Sequence, residues 1–572
     1  MEKEKKFRFL KVLTVIIATF NMLMYFSMRC CWSGISKTLG YEKEYSEFIL
    51  QLPLILFFII TINAIINILL FKFKKKTKNL WAFIIFGIDL LFLIAISVII
   101  ALGAIDYMYF IIPEFIKVLI ITVFALLVMF IIFIYPKTLL VNNNAFKYSL
   151  FLIVVFGLTV YALNYSVNRI EYEPVVYVVE DNYQIVFGTT SDALGWVEID
   201  GKRYLDTYAG SEKSYTKVHK ISIPMEALDS AKEYTIYTQR FHYRGPFGAI
   251  KDKVISKSYS FKPVDTTDGI NYYALSDIHM EIDGAKEASD FNKDKELLVL
   301  AGDIISMIET HDDAFYTGKV AFELTQGQIP VVYARGNHEL KGKYSEVFYK
   351  YVGSKNENFY YNFKIGNIYG LVLDLGEDHD DDYWEYYGTA DYTSYQNEQV
   401  EFLKSEIANN SYGDFDYKMV VCHIPLMYIN ARGNHVEIKK EFTKLLNEIN
   451  IDIMLSGHQH DLWVFEPNIL TPHEELTYNK DYINGVDKGK VTDFKFPAFL
   501  ISKRGLTQND SAKLTQKTQI GLSVYVDFTT NTQTVIYNNS ANQKVKMVNP
   551  FANYTYGEEI IINLDTKVFK KQ

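Results

Sequence analysis

Five short polar clusters in the second half of the chain hold the residues best suited to chemistry. They are Ser276-Asp277-Ile278-His279, Ala301-Gly302-Asp303, Gly336-Asn337-His338-Glu339, Val421-Cys422-His423 and Gly457-His458-Gln459-His460. With His338, Glu339 and Gln459 set aside, they offer two carboxylates, one amide and four imidazoles. In extended backbone, residues two apart share a face, so Asp277 with His279, and His458 with His460, are expected to reach a common ion. A mixed nitrogen and oxygen donor set without thiolate suits Zn, Fe, Mn or Ni rather than Ca or Mg, which prefer oxygen shells. Seven groups are too many for one tetrahedral zinc. They are right for two ions if one carboxylate bridges.

The clusters need a frame that points them at one place. Apolar runs at Tyr272–Ser276, Leu297–Ala301, Pro330–Ala334, Asn367–Leu375, Lys418–Cys422 and Ile451–Ser456 read as strands. Helical periodicity separates some of them, as over 437–449, where Phe442, Leu445, Leu446 and Ile449 form one stripe. This is an α/β layered pattern. In such sheets ligands gather beyond the carboxyl ends of the strands, and a polar cluster follows almost every run. A lone Gly-Asp or strand-end His is usually structural; five in order are much harder to explain that way.

The ordered series Asp-x-His, Gly-Asp, Gly-Asn-His-Glu, His and Gly-His-x-His resembles the calcineurin-like metallophosphoesterase family over 264–572. The resemblance implies a layered β-sandwich flanked by helices and a dinuclear centre. Asp277, His279, Asp303 and His460 would hold one ion. Asp303, Asn337, His423 and His458 would hold the other, with Asp303 bridging. The cofactors would be two divalent or mixed-valence transition metal ions (Mn, Fe, Zn or Ni), sharing a hydroxide that attacks a phosphate mono- or diester. His338 would face the substrate and stabilise the transition state or protonate the leaving oxygen. Purple acid phosphatases carry Tyr three residues after the Gly-Asp aspartate and no His in Asp-x-His; here Ser306 and His279 stand there, so the coloured iron–tyrosinate centre is not expected.

Other residues near the clusters read more plainly. Arg335 either contacts phosphate or pairs with a carboxylate. Arg432-Gly433-Asn434-His435 repeats the earlier Arg-Gly-Asn-His but follows no strand, and reads as a loop and helix start. Cys422 is expected to be an apolar filler rather than a nucleophile. The acidic run from Glu377 to Asp382 reads as a solvated loop, and Glu339 as a residue that orients a ligand.

Upstream, short alternating runs over 171–263, with Asp200-Gly201 as a hairpin turn, suggest a small all-β sandwich like the fibronectin-III-type domain of purple-acid-phosphatase-like enzymes. His219 and His242 there read as ordinary strand residues.

Residues 1–170 are dominated by Phe, Ile, Leu and Val, and five stretches meet the ~20-residue length of a bilayer span. They lie at about 7–28, 48–71, 79–105, 115–135 and 146–167. The sequence thus predicts an α-helical transmembrane bundle. The Lys and Arg residues of the short loops place the N-terminus in the cytoplasm and the catalytic half outside a multi-pass cell membrane protein. Asp89, the one acid deep in these stretches, reads as a helix–helix hydrogen-bonding group. The formal net charge of -9 argues against nucleic-acid binding. Three cysteines, Cys30, Cys31 and Cys422, leave no disulfide framework. Richness in Lys, Asn, Ile and Tyr looks like an AT-rich bacterial genome. The expected protein is a membrane-anchored, metal-dependent phosphoric ester hydrolase; the competing class is a silent binding or sensor module on the same fold.

Overall fold

The computed structural model describes residues 168–206, 214–244, 249–427, 436–460, 462, 464–467, 493–502, 519–549 and 554–570. Two sheets carry the architecture among these residues. The larger has 12 strands, and its main path runs Ile560–Asn563, Thr532–Asn539, Ile520–Asp527, Gly269–Leu275, Leu297–Ala301, Val331–Ala334, Ile170–Val179, Asn182–Ile199, Glu233–Gln239 and Ile255–Ser260. The smaller has six strands, ordered Tyr361–Ile365, Ile368–Leu373, Tyr417–Cys422, Ile453–Ser456, Ala498–Leu500 and Val464–Phe465.

Alternation along the strands assigns each side chain to a layer. Tyr272, Val299 and Val332 of the large sheet share one buried cluster with Val372, Val421 and Leu455 of the small sheet, so the two sheets pack face to face. Their neighbours point the other way. Tyr273, Leu298 and Val331 bury Ala285 of the helix Ile282–Ser289 and Val320 of the helix Tyr316–Thr325. On the far side of the small sheet, Leu371, Val420 and Met454 bury Leu403 of the helix Tyr392–Ala408 and Phe442, Leu445, Leu446 and Ile449 of the helix Val436–Ile449. The layers are helix, sheet, sheet, helix, as expected of an α/β layered domain.

The middle strands are parallel in both sheets. Gly269–Leu275, Leu297–Ala301 and Val331–Ala334 run together, as do Ile368–Leu373, Tyr417–Cys422 and Ile453–Ser456. Their carboxyl ends therefore open on one edge of the sandwich, where ligands collect.

Two expectations about architecture are corrected. Among the described residues no helix is long and apolar enough to cross a membrane. That finding overturns the expected transmembrane bundle and the multi-pass cell-membrane location read from it. Tyr392–Ala408, with 17 residues, carries Glu398, Glu401, Lys404 and Glu406, and such charges are costly in hydrocarbon. The five stretches assigned as spans, at about 7–28, 48–71, 79–105, 115–135 and 146–167, and Asp89 with them, lie outside the described residues.

The separate fibronectin-III-like sandwich is also not supported. Ile170–Val179 pairs in parallel with Val331–Ala334 and antiparallel with Asn182–Ile199, so these strands extend the large sheet. Tyr183–Phe187 and Gly195–Ile199, two of the short alternating runs in this region, are parts of one 18-residue strand. Lys220 ties this extension down by donating to the carbonyls of Tyr349 (2.6 Å) and Val352 (3.3 Å). The Asp200-Gly201 hairpin forms as the residue pair suggests, with φ of 49° and 75° between Ile199 and Lys202. His219 is buried against Asp206, 3.1 Å away.

Candidate metal centre

Each polar cluster sits just past the end of a parallel strand. Backbone bonds lace the loops together: Asp277 N–H to the Gly302 carbonyl at 3.0 Å, His279 N–H to Asp303 at 3.0 Å, and Gly457 N–H to His423 at 2.9 Å. The His458 N–H then donates to the Asp277 carboxylate at 3.0 Å, joining the loops of the two sheets.

These turns need left-handed backbone. Asp277, His279, Asp303, His458 and His460 have φ of 52°, 46°, 52°, 74° and 50°. Such conformations cost roughly 1–3 kcal/mol each for non-glycine residues and gather at functional sites. The convergence of Asp277 with His279 therefore comes from turns, not from the extended backbone that the sequence suggested. Gly302, with φ 89°, lies so close to the site that a Cβ there would stand 2.6 Å from His423 Nδ1 and 2.8 Å from the Gly336 Cα. Gly302→Ala is expected to abolish tight metal binding while the chain still folds; an unchanged metal affinity by calorimetry would count against this geometry.

Two groups of donors result, and within each the ligand atoms all lie within 4.8 Å of one another. One contains Asp277, His279, Asp303 and His460; the other contains Asp303, His423 and His458. His279 Nε2 lies 3.0 Å from His460 Nε2, which is 3.3 Å from Asp277 Oδ1. His423 Nε2 stands 3.2 Å from Asp303 Oδ2, and His458 Nδ1 is 3.2 Å from Asn337 Oδ1. Asp303 and Asp277 are buried.

Electrostatics keep the carboxylates ionised. Burial alone raises the pKa of Asp277 and Asp303, but the imidazoles of His460 and His423 outweigh it and hold both below the usual carboxylate range. Burial lowers His279 to about 4 against the pull of Asp303 and Asp277, so this imidazole is neutral. His423 is pushed up to about 10, since Asp303 overcomes the cost of burial. Its Nδ1–H donates to the Ala301 carbonyl at 2.7 Å, which turns Nε2 inward. That Nε2 is buried without a hydrogen-bond partner. An orphan imidazole nitrogen facing a carboxylate, beside further imidazoles and an amide oxygen, fits two transition metal ions.

Glu339 belongs to neither donor group. It is buried and accepts the N–H groups of Asp303 (3.0 Å), Ile304 (2.7 Å), Ile305 (3.1 Å) and Gly336 (2.8 Å). It thus builds the Gly-Asp loop from the Gly-Asn-His-Glu loop. Removing a partner from a buried donor costs about 1–3 kcal/mol. Glu339→Ala is expected to lower unfolding free energy by at least ~3 kcal/mol, since these donors lose it together; a loss under ~1 kcal/mol in urea titration would contradict the role.

Arg335 proves to be a structural residue. Its Nε donates to Asp374 at 2.8 Å, and its guanidinium stacks on Phe359 at 4.1 Å. Cys422 is buried and free, and burial pushes its thiol up to about 12, which suits a filler and not a nucleophile. Arg432 and His435 lie outside the described residues. The sequence reading missed Glu377 and Asp378, which it placed in a solvated loop. Both are nearly buried and touch the site: Glu377 Oε2 accepts from Asn337 Nδ2 at 3.1 Å, and Asp378 Oδ2 is 3.0 Å from His458 Nε2. They come four and five residues after the end of the strand Ile368–Leu373, a position like that which picked out the other clusters.

Comparison with known proteins agrees with the chemistry. Residues 270–462 match the family model of the calcineurin-like phosphoesterases. No curated protein matches the chain. Solved structures similar to it include the purple acid phosphatase PPD1 from yellow lupin (Lupinus luteus) seeds, at 14% identity and TM-score 0.43, covering 66% of this chain and 74% of that one. Another is a dimetal phosphatase from Danio rerio, at 11% identity and TM-score 0.34, covering 53% and 100%. GAP50, the anchor in the inner membrane complex of Plasmodium, aligns at 14% identity and TM-score 0.32, covering 52% and 90%. These structural likenesses are too distant to carry an argument. The chain holds a calcineurin-like phosphoesterase domain and is a metal-dependent phosphoesterase.

Proposed function

We propose that the chain hydrolyses phosphate mono- or diesters with two metal ions, one held by Asp277, His279, Asp303 and His460, the other by Asp303, Asn337, His423 and His458. The observation that carries this reading is that Asp303 belongs to both donor groups. Two ions so held would supply an activated water and Lewis-acid pull on the phosphoryl oxygens.

The protein's own residues do the rest. Asp303 Oδ1 accepts the His338 N–H at 2.9 Å, which leaves Oδ2 to the site. Asn337 donates its amide N–H to Glu377, so its oxygen turns inward. His338 is held by a 2.8 Å bond from Nδ1–H to the Ser306 carbonyl, with Nε2 4.0 Å from Asp303 Oδ2 and part of the ring open to solvent. On this reading the side chain would meet a substrate oxygen. The neutral ring is a proton acceptor at Nε2 and the charged ring a donor there.

The test is reconstitution. The full chain, stripped with chelator, is reloaded with Mn, Fe, Zn or Ni and offered p-nitrophenyl phosphate and bis-p-nitrophenyl phosphate. Two ions per chain and recovered turnover of at least one ester are expected. A folded chain that takes up ions but turns over neither ester favours the silent binding module.

A further inference from the structure

We infer that Glu377 and Asp378 are positioning residues for the second ion, fixing Asn337 and His458 from behind. The inference rests on the ligand assignment above. His458 faces Asn337 Oδ1 through Nδ1 at 3.2 Å and meets Asp378 Oδ2 through Nε2 at 3.0 Å. A carboxylate on the outer nitrogen places the proton at Nε2, leaves the Nδ1 lone pair for the metal, and fixes the ring's orientation. Glu377 does the equivalent for Asn337: it accepts from Nδ2 at 3.1 Å, which fixes the amide and draws charge onto the ligand oxygen.

The two acids are themselves held. Lys341 Nζ stands 3.4 Å from Glu377 Oε1. Gly376, with φ 74°, turns the chain out of the strand, and its N–H donates to Asp374 Oδ1 at 2.9 Å. Asp374 is clamped by Arg335, 2.6 Å away, and by the Tyr395 hydroxyl at 3.2 Å. So the Arg335–Asp374 pair anchors the loop, and the loop anchors two ligands. Among the described residues the carboxylates near His279 and His460 are Asp303 and Asp277, which face the same Nε2 atoms that face the site, so the first ion shows no such support there.

This asymmetry makes the inference testable. Isothermal titration of the metal-free full chain with Mn²⁺ or Zn²⁺ alone resolves two binding events. Asp378→Ala and Glu377→Ala are each expected to weaken one event by roughly 10–100-fold, the usual effect of losing a carboxylate behind a metal ligand. The other event should change less than about threefold, and the melting temperature of the metal-free chain should not fall. Excess metal should restore turnover in both variants. Asp378→Asn, which keeps an acceptor oxygen toward Nε2, should lie between wild type and Asp378→Ala. Unchanged affinities, equal weakening of both events, or loss explained by a lower metal-free melting temperature would each overturn the inference. If the wild-type chain itself takes up fewer than two ions, the dinuclear assignment fails instead.

Discussion

Asp303→Ala is expected to lose both ions and bring ester hydrolysis to background, a fall of at least about 10⁴-fold, because metal stabilisation worth several kcal/mol disappears with the metals. No other residue lies in both donor groups among the described residues. Its Oδ2 is 3.2 Å from His423 Nε2 and 3.8 Å from His279 Nε2, so one oxygen faces imidazoles of both groups. The other oxygen is committed to the His338 N–H. Without it, imidazoles from both sheets face one another with no shared carboxylate between the two donor groups. The measurement is metal content by mass spectrometry after dialysis, beside turnover. Asp303→Asn sharpens the result. It keeps the size and the bond to His338 N–H but removes the charge, and it too should hold less than one ion per chain. Two ions retained in either variant would refute the bridging role. A single-ligand variant, His279→Ala, should by contrast lose one ion and keep the other.

The candidate donors were legible because coordination chemistry leaves local traces. Asp-x-His, Gly-Asp and Gly-His-x-His each follow an apolar run, and the structure brings Asp277, His279, Asp303, Asn337, His423, His458 and His460 to one edge. The backbone conformation that achieves this was not legible. Nothing in the identity of Asp277, His279 or His460 announces a positive φ, since context imposes it. Glu377 and Asp378 were hidden for a different reason. They open a run of acids, and runs of charge usually face water; only their place at a strand end separates them from Asp380 and Asp382. The small β-sandwich was misread because strands alternate in the same way whether they close a separate domain or extend a sheet. A clue was present: residues 174–179 of the strand Ile170–Val179 are buried without alternation, as in a strand covered on both faces. Pairing with Val331–Ala334 joins segments far apart in sequence and leaves no local pattern to read.

His338→Ala should keep both ions and still lose roughly 10²–10⁴-fold in kcat, the range for a positioned proton donor or acceptor. Its ring is not within either donor group, yet it packs edge-on to His279 with centroids 4.7 Å apart. The Ser306 carbonyl holds Nδ1, so Nε2 is the working atom. Two roles remain for it, and the leaving group separates them. If Nε2–H protonates the departing oxygen, the variant should lose little on an aryl ester, whose phenolate leaves unaided, and most on an alkyl ester. If His338 instead steadies charge on the transferring phosphoryl group, the loss should be similar for both. The holding bond predicts the same dichotomy elsewhere. His338→Asn cannot carry a proton but can still hydrogen-bond, so it should recover part of the rate only in the second case. Metal content must be measured alongside, because the His338 backbone N–H bonds Asp303 and survives in every variant. A variant that loses its ions would place His338 among the residues that build the centre, and a variant with full turnover of both esters would remove it from the reaction.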